Sequence, residues 1–221
     1  MADNATEGRQ RLKITEVFRS LQGESLSAGL PTVFIRLTGC PLRCEYCDTA
    51  YAFTGGEWID IADIIKQVDA YATRHITVTG GEPLAQKNCL ELLTRLCDAG
   101  YIVSLETSGA LPIEDVDPRV SRVVDVKTPG SGEQDRNRAK NYQHLTTTDQ
   151  LKFVICDEVD YQWSRAFMAE HGLADKCEIL FSPSWQQQDA TQLAEWILRD
   201  GLEVRMQLQL HKLLWGDKPG V

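Results

Sequence analysis

A parallel α/β sheet with covering helices is the fold class this sequence predicts, and two observations predict it. Runs of β-branched and aromatic residues alternate with runs whose apolar residues recur at helical spacing, about six times over with short connections, a pattern that calls for right-handed crossovers on a parallel sheet. The residue clusters with chemical potential all fall where a strand ends. Both an open doubly wound sheet and a partial barrel place their functional loops there, so the pattern alone leaves the two open.

Residues 1–10 are polar and read as a flexible tail, and 11–221 read as one domain. Leu12 to Phe18 alternates enough for a strand, leading into the polar loop Ser20-Leu21-Gln22-Gly23-Glu24. Thr32 to Leu37 shows little alternation and reads as a mostly buried strand. A helix follows Asp60, a plausible N-cap, with Ile61, Ile64, Ile65, Val68 and Ala72 on its stripe. Ile76 to Thr79 is a strand ending at Gly80-Gly81-Glu82-Pro83, and Leu90, Leu93, Leu96 and Cys97 stripe a helix stopped by Gly100. Tyr101 to Leu105 and Val120 to Val126 are strands ending at Glu106-Thr107-Ser108 and at Lys127. Gly130 to Tyr142 reads as a loop with a short helix. Leu151 to Ile155 is a strand before a helix striped by Val159, Trp163 and Phe167. Ile179 to Phe181 is a strand running into Ser182-Pro183-Ser184-Trp185, and Leu193, Trp196 and Ile197 stripe the last helix. Leu202 to Leu208 reads as a final strand followed by a polar tail.

Bulk composition excludes several classes. The formal charge of -9 argues against broad nucleic-acid binding, though not against a small anion in a locally basic pocket. No apolar run approaches the roughly 20 residues that span a bilayer, and the start lacks a signal peptide's apolar core, so no membrane role and a cytoplasmic location are expected. Seven cysteines is an odd number, and clustered cysteines in a reducing compartment point to metal or redox chemistry rather than disulfides.

Three of them, Cys40, Cys44 and Cys47, form C-x3-C-x2-C on the loop after Thr32 to Leu37. A structural zinc would ask for a fourth Cys or His at related spacing, and the next histidine, His75, sits at a strand start. Three thiolates on an iron-sulfur cubane leave one iron open to a further ligand. Cys89, Cys97, Cys156 and Cys177 are dispersed and read as small buried hydrophobes. Trp163 and Trp196 fit helix stripes and read as core, and His211 reads as a packing residue.

The cysteine spacing with Tyr46 before the last cysteine resembles the signature of the radical S-adenosylmethionine superfamily, and Gly80-Gly81-Glu82 resembles its methionine-binding strand end. Leu21-Gln22-Gly23-Glu24, Phe34-Ile35-Arg36, Cys47-Asp48-Thr49, Thr79 to Pro83, Glu106 to Gly109 and Gln209 to Lys212 occur in the order seen in 7-carboxy-7-deazaguanine synthases, over residues 14 to 214. The resemblance implies an incomplete, TIM-like barrel. It implies conversion of 6-carboxy-5,6,7,8-tetrahydropterin to 7-carboxy-7-deazaguanine with loss of ammonia, on the route to queuosine. A reduced 4Fe-4S cluster would cleave S-adenosylmethionine to a 5'-deoxyadenosyl radical that takes hydrogen from C6, and the ring would then contract.

Carried over residue by residue, the resemblance gives Leu21, Gln22, Gly23 and Glu24 to the pterin, Gln22's amide reading its guanine-like edge. Arg36 is given to the substrate carboxylate, for which a guanidinium suits bidentate binding. Thr79 and Ser108 also fall to substrate, and Thr49 to Mg2+ as a hard oxygen donor. Tyr46, Cys47 and Asp48 fall to adenine, Gly81 and Glu82 to the methionine end, and Glu106 to ribose. Asp125-Val126-Lys127 stands where the family often has Ser-Pro-Lys, with Asp125 replacing the serine toward ribose. Ser182-Pro183-Ser184-Trp185 replaces a common Gln-Pro segment beside adenine. Family members often end in a carboxylate soon after the His-Lys motif; this chain continues, with Asp217 near that position or, alternatively, a disordered tail. A homodimer and an electron donor such as flavodoxin or ferredoxin are implied too.

Two rivals differ in kind. A glycyl-radical-enzyme activase would share the cysteines but has no use for a carboxylate and magnesium pocket marked by Gln22, Arg36 and Thr49. A zinc-binding module would be colourless.

Overall fold

A computed structural model of the chain describes residues 10–221. The expected tail therefore lies outside the described residues except for Gln10, whose carbonyl accepts from Ile61 N at 3.0 Å. The sheet is nine-stranded, in the order β3-β1-β2-β4-β5-β6-β7-β8-β9. Its strands are β1 (Arg11–Leu21), β2 (Pro31–Leu37), β3 (Glu57–Asp60), β4 (His75–Gly80), β5 (Ile102–Thr107), β6 (Ser121–Val126), β7 (Gln150–Ile155), β8 (Glu178–Pro183) and β9 (Arg205–Met206). From β2 to β9 every neighbouring pair is parallel, while β1 runs antiparallel to both β2 and β3. The helices are α1 (Ile61–Asp69), α2 (Cys89–Asp98), α3 (Glu158–His171), α4 (Ala190–Arg199) and α5 (Leu210–Trp215).

The two faces of the parallel strands are chemically opposite. Val33, Ile35 and Leu37 of β2, Ile76 and Val78 of β4, Leu105 of β5, and Leu151, Phe153 and Ile155 of β7 join one core with Ile64 of α1, Leu93 of α2, Tyr161 of α3 and Trp196 of α4. The alternate residues, among them Arg36, Thr79, Glu106, Asp125 and Lys152, line a cavity on the other face. One apolar face under helices and one polar face around a cavity is a partial barrel, and it rules out the doubly wound sheet, which needs apolar residues on both faces. The low alternation of Thr32 to Leu37 is explained by this. Thr32 and Phe34 on the polar face are themselves buried.

A bulge at Thr15 sets the phase of β1. Ile14 pairs with Leu37, but Glu16, two residues on, pairs with Arg36. One extra residue turns every later side chain to the opposite face. Leu12 and Ile14 therefore point into the core, and Phe18 into the cavity. Gln86 occupies the irregularity. Its Oε1 accepts from Lys13 N at 2.8 Å, and its Nε2 donates to the carbonyls of Lys13 and Thr38 at 2.9 and 3.0 Å.

Several expectations change. Val159 is 67% exposed, while Trp163 and Phe167 pack against the core as expected; the fully buried face of α3 is Asp160, Tyr161, Ser164 and Met168, with Asp160 capping the 128–130 turn. Asp60 precedes α1 but makes no side-chain cap bond. The last strand shrinks to Arg205–Met206, because only Leu180 and Phe181 of β8 offer it partners. The polar tail begins as α5, anchored where Leu210 N donates to Gly23 O at 2.9 Å.

Candidate active site

The cysteine loop is built by glycine geometry and backbone bonds. Gly39 has φ +98°, a left-handed conformation that admits glycine and turns the chain sharply after β2. Its N–H donates to Ala52 O at 2.8 Å and its carbonyl accepts from Glu82 N at 2.8 Å, so the loop is tied to the end of β4. A Cβ on Gly81 would stand 2.3 Å from Gly39 O and 2.7 Å from Cys40 Cβ. Arg43 donates to the carbonyls of Cys40 and Leu42 at 2.8 and 2.6 Å and lies 4.2 Å from the Phe53 ring centroid. Leu42 is buried beneath. Cys40, Cys44 and Cys47 are half-buried at the rim and all line the cavity. Burial pushes the Cys40 and Cys44 thiols up, outweighing the donation of Leu42 N to Cys40 Sγ at 3.5 Å. Iron ligation would reverse that shift.

The cavity holds about 600 Å³, within the usual range for small-molecule sites. It brings together segments far apart in sequence: Leu21 to Glu24, Arg36, Tyr46 to Thr49, Thr79, Gly81, Glu106, Ser108, Asp125 and Lys127 all border it. Among the described residues four lysine and arginine side chains lie in its wall, and each has an acid beside it. Arg36 Nε donates to Glu16 Oε1 (2.7 Å), Lys127 to Asp125 (2.7 Å), Lys152 to Glu24 (2.7 Å) and Lys212 to Asp217 (2.8 Å). The pocket is thus charge-balanced rather than basic, which suits ligands carrying both signs.

Glu106 is held by two bonds, accepting from Gln22 Nε2 at 3.1 Å and from Thr79 Oγ1 at 2.9 Å. Burial pushes its carboxyl up, against the ammonium of Lys152. Asp125 goes the other way: burial opposes its charge, but Lys127 and Lys152 outweigh burial and hold it below the usual carboxylate range. Lys127 and Lys152 remain charged despite burial, Asp125 being the first of the anions that hold them so.

Three predicted residues stand off the cavity. Glu82 is fully buried and accepts from Leu84 N (2.9 Å), Thr107 Oγ1 (2.9 Å), Ser108 N (2.7 Å) and Ser108 Oγ, so its carboxylate ties β4 to β5. Val126 points into the core, as its position in the β6 alternation dictates. Ser182 stands beside cavity-lining Val154 in the sheet but is itself fully covered, its hydroxyl without a partner among the described residues. Two others are placed differently from expectation. Gln22 spends its amide on Thr77, Glu106 and Glu24 N, so it shapes the loop rather than offering a free edge. Glu106, expected toward ribose, bonds to Gln22 and Thr79, both of the substrate set.

The sequence reading gave no site role to Lys152, Gln186, Gln187 or Gln209 and read His211 as packing, yet all border the cavity, as do Ser184 and Trp185 of the segment read as lying beside adenine. His211 lies so close to Gly23 that a Cβ there would be 2.1 Å from its Nδ1. A lysine inside the apolar stretch Leu151 to Ile155 was the available signal for Lys152; Arg36, also a charge in an apolar strand, was assigned through the family resemblance. Asp217 and Val221 also border the cavity, so the extension folds back over it instead of leaving it.

The wall fits an iron-sulfur cluster and a nucleotide. Three half-buried thiols face the cavity, Gly81 leaves room for a close backbone approach, and the Tyr46 hydroxyl is buried with no partner among the described residues. Among those residues no three His, Cys, Asp or Glu side chains converge on a single-ion site, whereas a cubane takes each thiolate on a separate iron. A partial barrel with three such thiols at the rim has the architecture of radical S-adenosylmethionine enzymes, and the family model described as "Radical SAM superfamily" matches residues 34–119. A 7-carboxy-7-deazaguanine synthase of Chlorobaculum tepidum is 46% identical over 95% of this chain and 97% of its own, and that of Koribacter versatilis is 42% identical over 92% and 97%. The crystal structure of QueE from Escherichia coli has the same fold, with a TM-score of 0.74 at 24% identity over 92% of this chain and 96% of that one. The chain belongs to the 7-carboxy-7-deazaguanine synthase family.

Proposed function

We propose that the protein converts 6-carboxy-5,6,7,8-tetrahydropterin to 7-carboxy-7-deazaguanine with release of ammonia; the names of its relatives give that product for them. The observation that carries this reading is convergence: segments from β1, β2, β4, β5 and β6 border one cavity beside the three cysteines. A 4Fe-4S cluster on Cys40, Cys44 and Cys47 with S-adenosylmethionine would supply hydrogen-atom abstraction from an unactivated carbon.

The chain's own residues would bind, orient and exclude water. Arg36 is fixed at Nε by Glu16, which itself accepts from Tyr51 Oη at 2.8 Å. That leaves the guanidinium's other edge for the substrate carboxylate. Glu106, held by Gln22 and Thr79 and pushed up by burial, suits a ring N–H or amine of the pterin. Asp125 and Lys127 at the end of β6 and the backbone of Tyr46 to Asp48 suit the nucleoside, and Gly81 admits the methionine end. Thr49 Oγ1, donating to Asp48 Oδ1 at 2.7 Å, offers Mg2+ a hard ligand beside a carboxylate. Asp217, drawn in by Lys212, supplies a carboxylate near the substrate end.

Residues 11–221 act as one domain around one core, as a cytoplasmic homodimer reduced by flavodoxin or ferredoxin. Among the described residues no helix is long and apolar enough to cross a membrane. A binding site for a nucleic acid is not part of the reading, and the charge of -9 supports that.

The test gives reconstituted, reduced protein the tetrahydropterin, S-adenosylmethionine and Mg2+, and follows product by mass. Formation of 7-carboxy-7-deazaguanine is expected. Accumulation of 5'-deoxyadenosine with the pterin intact would refute the substrate. Thr49→Ala should abolish Mg2+ stimulation while the cluster spectrum is unchanged; loss of the cluster would instead assign Thr49 to the loop's structure.

A further inference from the structure

Lys152 sits in the middle of β7, where Leu151, Phe153 and Ile155 enter the core and Lys152 and Val154 face the cavity. Its ammonium is shared. Nζ donates to Glu24 Oε2 at 2.7 Å and lies 3.3 Å from Asp125 Oδ1. The outer oxygens are also occupied: Glu24 Oε1 accepts from Gln209 Nε2 at 2.9 Å, and Asp125 Oδ2 from Lys127 Nζ at 2.7 Å. The result is a string, Gln209–Glu24–Lys152–Asp125–Lys127, across the cavity wall. Glu24 lies in the loop given to the pterin, Gln209 at the start of α5, and Asp125 and Lys127 at the strand end given to the nucleoside. Glu24 follows β1 and Asp125 lies on β6, with β2, β4 and β5 between those strands in the sheet. Lys152 is the side chain that bonds to both.

We propose that Lys152 is a positioning residue that couples the pterin half of the cavity to the S-adenosylmethionine half through Glu24 and Asp125. The inference rests on the functional reading above. Its direction follows from the two unequal distances. When donors of a bound pterin share the Glu24 carboxylate, the pull on Lys152 from that side weakens. The ammonium then closes on Asp125, which fixes the Asp125–Lys127 pair for the nucleoside. Each ligand thereby tightens the other, since coupling between two sites is reciprocal. An enzyme built this way holds its cofactor firmly only when there is substrate to attack.

The experiment titrates S-adenosylmethionine into reconstituted, oxidised protein, which cannot turn over, with and without saturating tetrahydropterin. The ratio of the two dissociation constants is the coupling factor. In the wild type it is expected to be about tenfold. Lys152→Met should bring it to unity with the cluster absorbance retained, and Lys152→Arg should keep it well above unity. If K152M does not fold because Glu24 is left unpaired, Glu24→Gln combined with Lys152→Met removes that charge, and the factor should again be unity. A merely structural lysine would change both constants together and leave their ratio alone. A wild-type ratio preserved in folded K152M or in the double variant overturns the coupling and leaves the substrate reading intact. A wild type with no coupling overturns it equally. Wild-type protein that binds S-adenosylmethionine but not the pterin overturns the substrate reading, and the coupling with it.

Discussion

Gly81 and Glu82 are neighbours that do opposite work. Gly81 is needed for what it lacks: a methyl group there would overlap Gly39 O and Cys40 Cβ, both part of the cysteine loop and neither the flexible end of a side chain. Gly81→Ala should therefore lower the iron retained per chain after reconstitution. Full iron content would show that the loop can yield. Glu82 is needed for its two oxygens. Glu82→Ala would leave Leu84 N, Thr107 Oγ1, Ser108 N and Ser108 Oγ without an acceptor in a site closed to water. We expect a loss of about 3 kcal/mol or more in urea unfolding, the scale of an unsatisfied buried group multiplied over several donors. A loss below about 1 kcal/mol would mean that water or a shifted strand end replaces the carboxylate. The run Gly80-Gly81-Glu82 was visible in the sequence as a site, but its division of labour was not. A motif shows which residues recur together, and only packing shows that the glutamate is off the cavity and bonded to the end of β5.

At the level of elements, the strand-helix alternation was legible because core-facing positions carry Val, Ile, Leu and Phe at the right period. What could not be read was the phase of β1. The extra residue at Thr15 leaves no mark in composition, yet it decides that Glu16 stands opposite Arg36 and shares its face. Deleting Thr15 should leave a regular strand in which Glu16, now next to Ile14, still stands opposite Arg36 on the cavity face. The expected result is retained secondary structure by circular dichroism and retained pterin affinity. Lost affinity with secondary structure intact would show that the strand slips by one residue and takes Glu16 off the face of Arg36. Short elements were illegible for a related reason. β3 is four residues long and α5 six, too few for a period to emerge. α5 is held instead by tertiary contacts, through Gly23 O and the Lys212–Asp217 pair.

For the molecule as a whole, a net charge of -9 coexists with a cavity wall in which Arg36, Lys127, Lys152 and Lys212 each face an acid. Arg36 and Lys127 were legible as charges at a strand's chemistry-bearing end. Lys152 was visible as a lysine within an apolar strand but its role was not, because its partners Glu24 and Asp125 are distant in sequence and only the fold brings them together. The same arrangement sets how stability responds to pH, with two acids acting in opposite senses. Asp125 is held down by Lys127 and Lys152 against the effect of burial, so its contribution is present above the unfolded value of about 3.9 and is lost as pH falls through its folded value. Glu106 is pushed up by burial, so its contribution is complete below about 4.3 and is lost as pH rises through its folded value. Melting curves of the wild type, Asp125→Asn and Glu106→Gln should separate the two. The advantage of the wild type over D125N should shrink as pH falls below about 4, where the aspartate takes up its proton. E106Q should gain on the wild type as pH rises past about 4.3, because the neutral amide avoids the buried charge that ionisation creates. If E106Q instead loses ground over that interval, Lys152 stabilises the Glu106 anion by more than burial opposes it, and the cavity holds an ion pair beyond the four that line its wall.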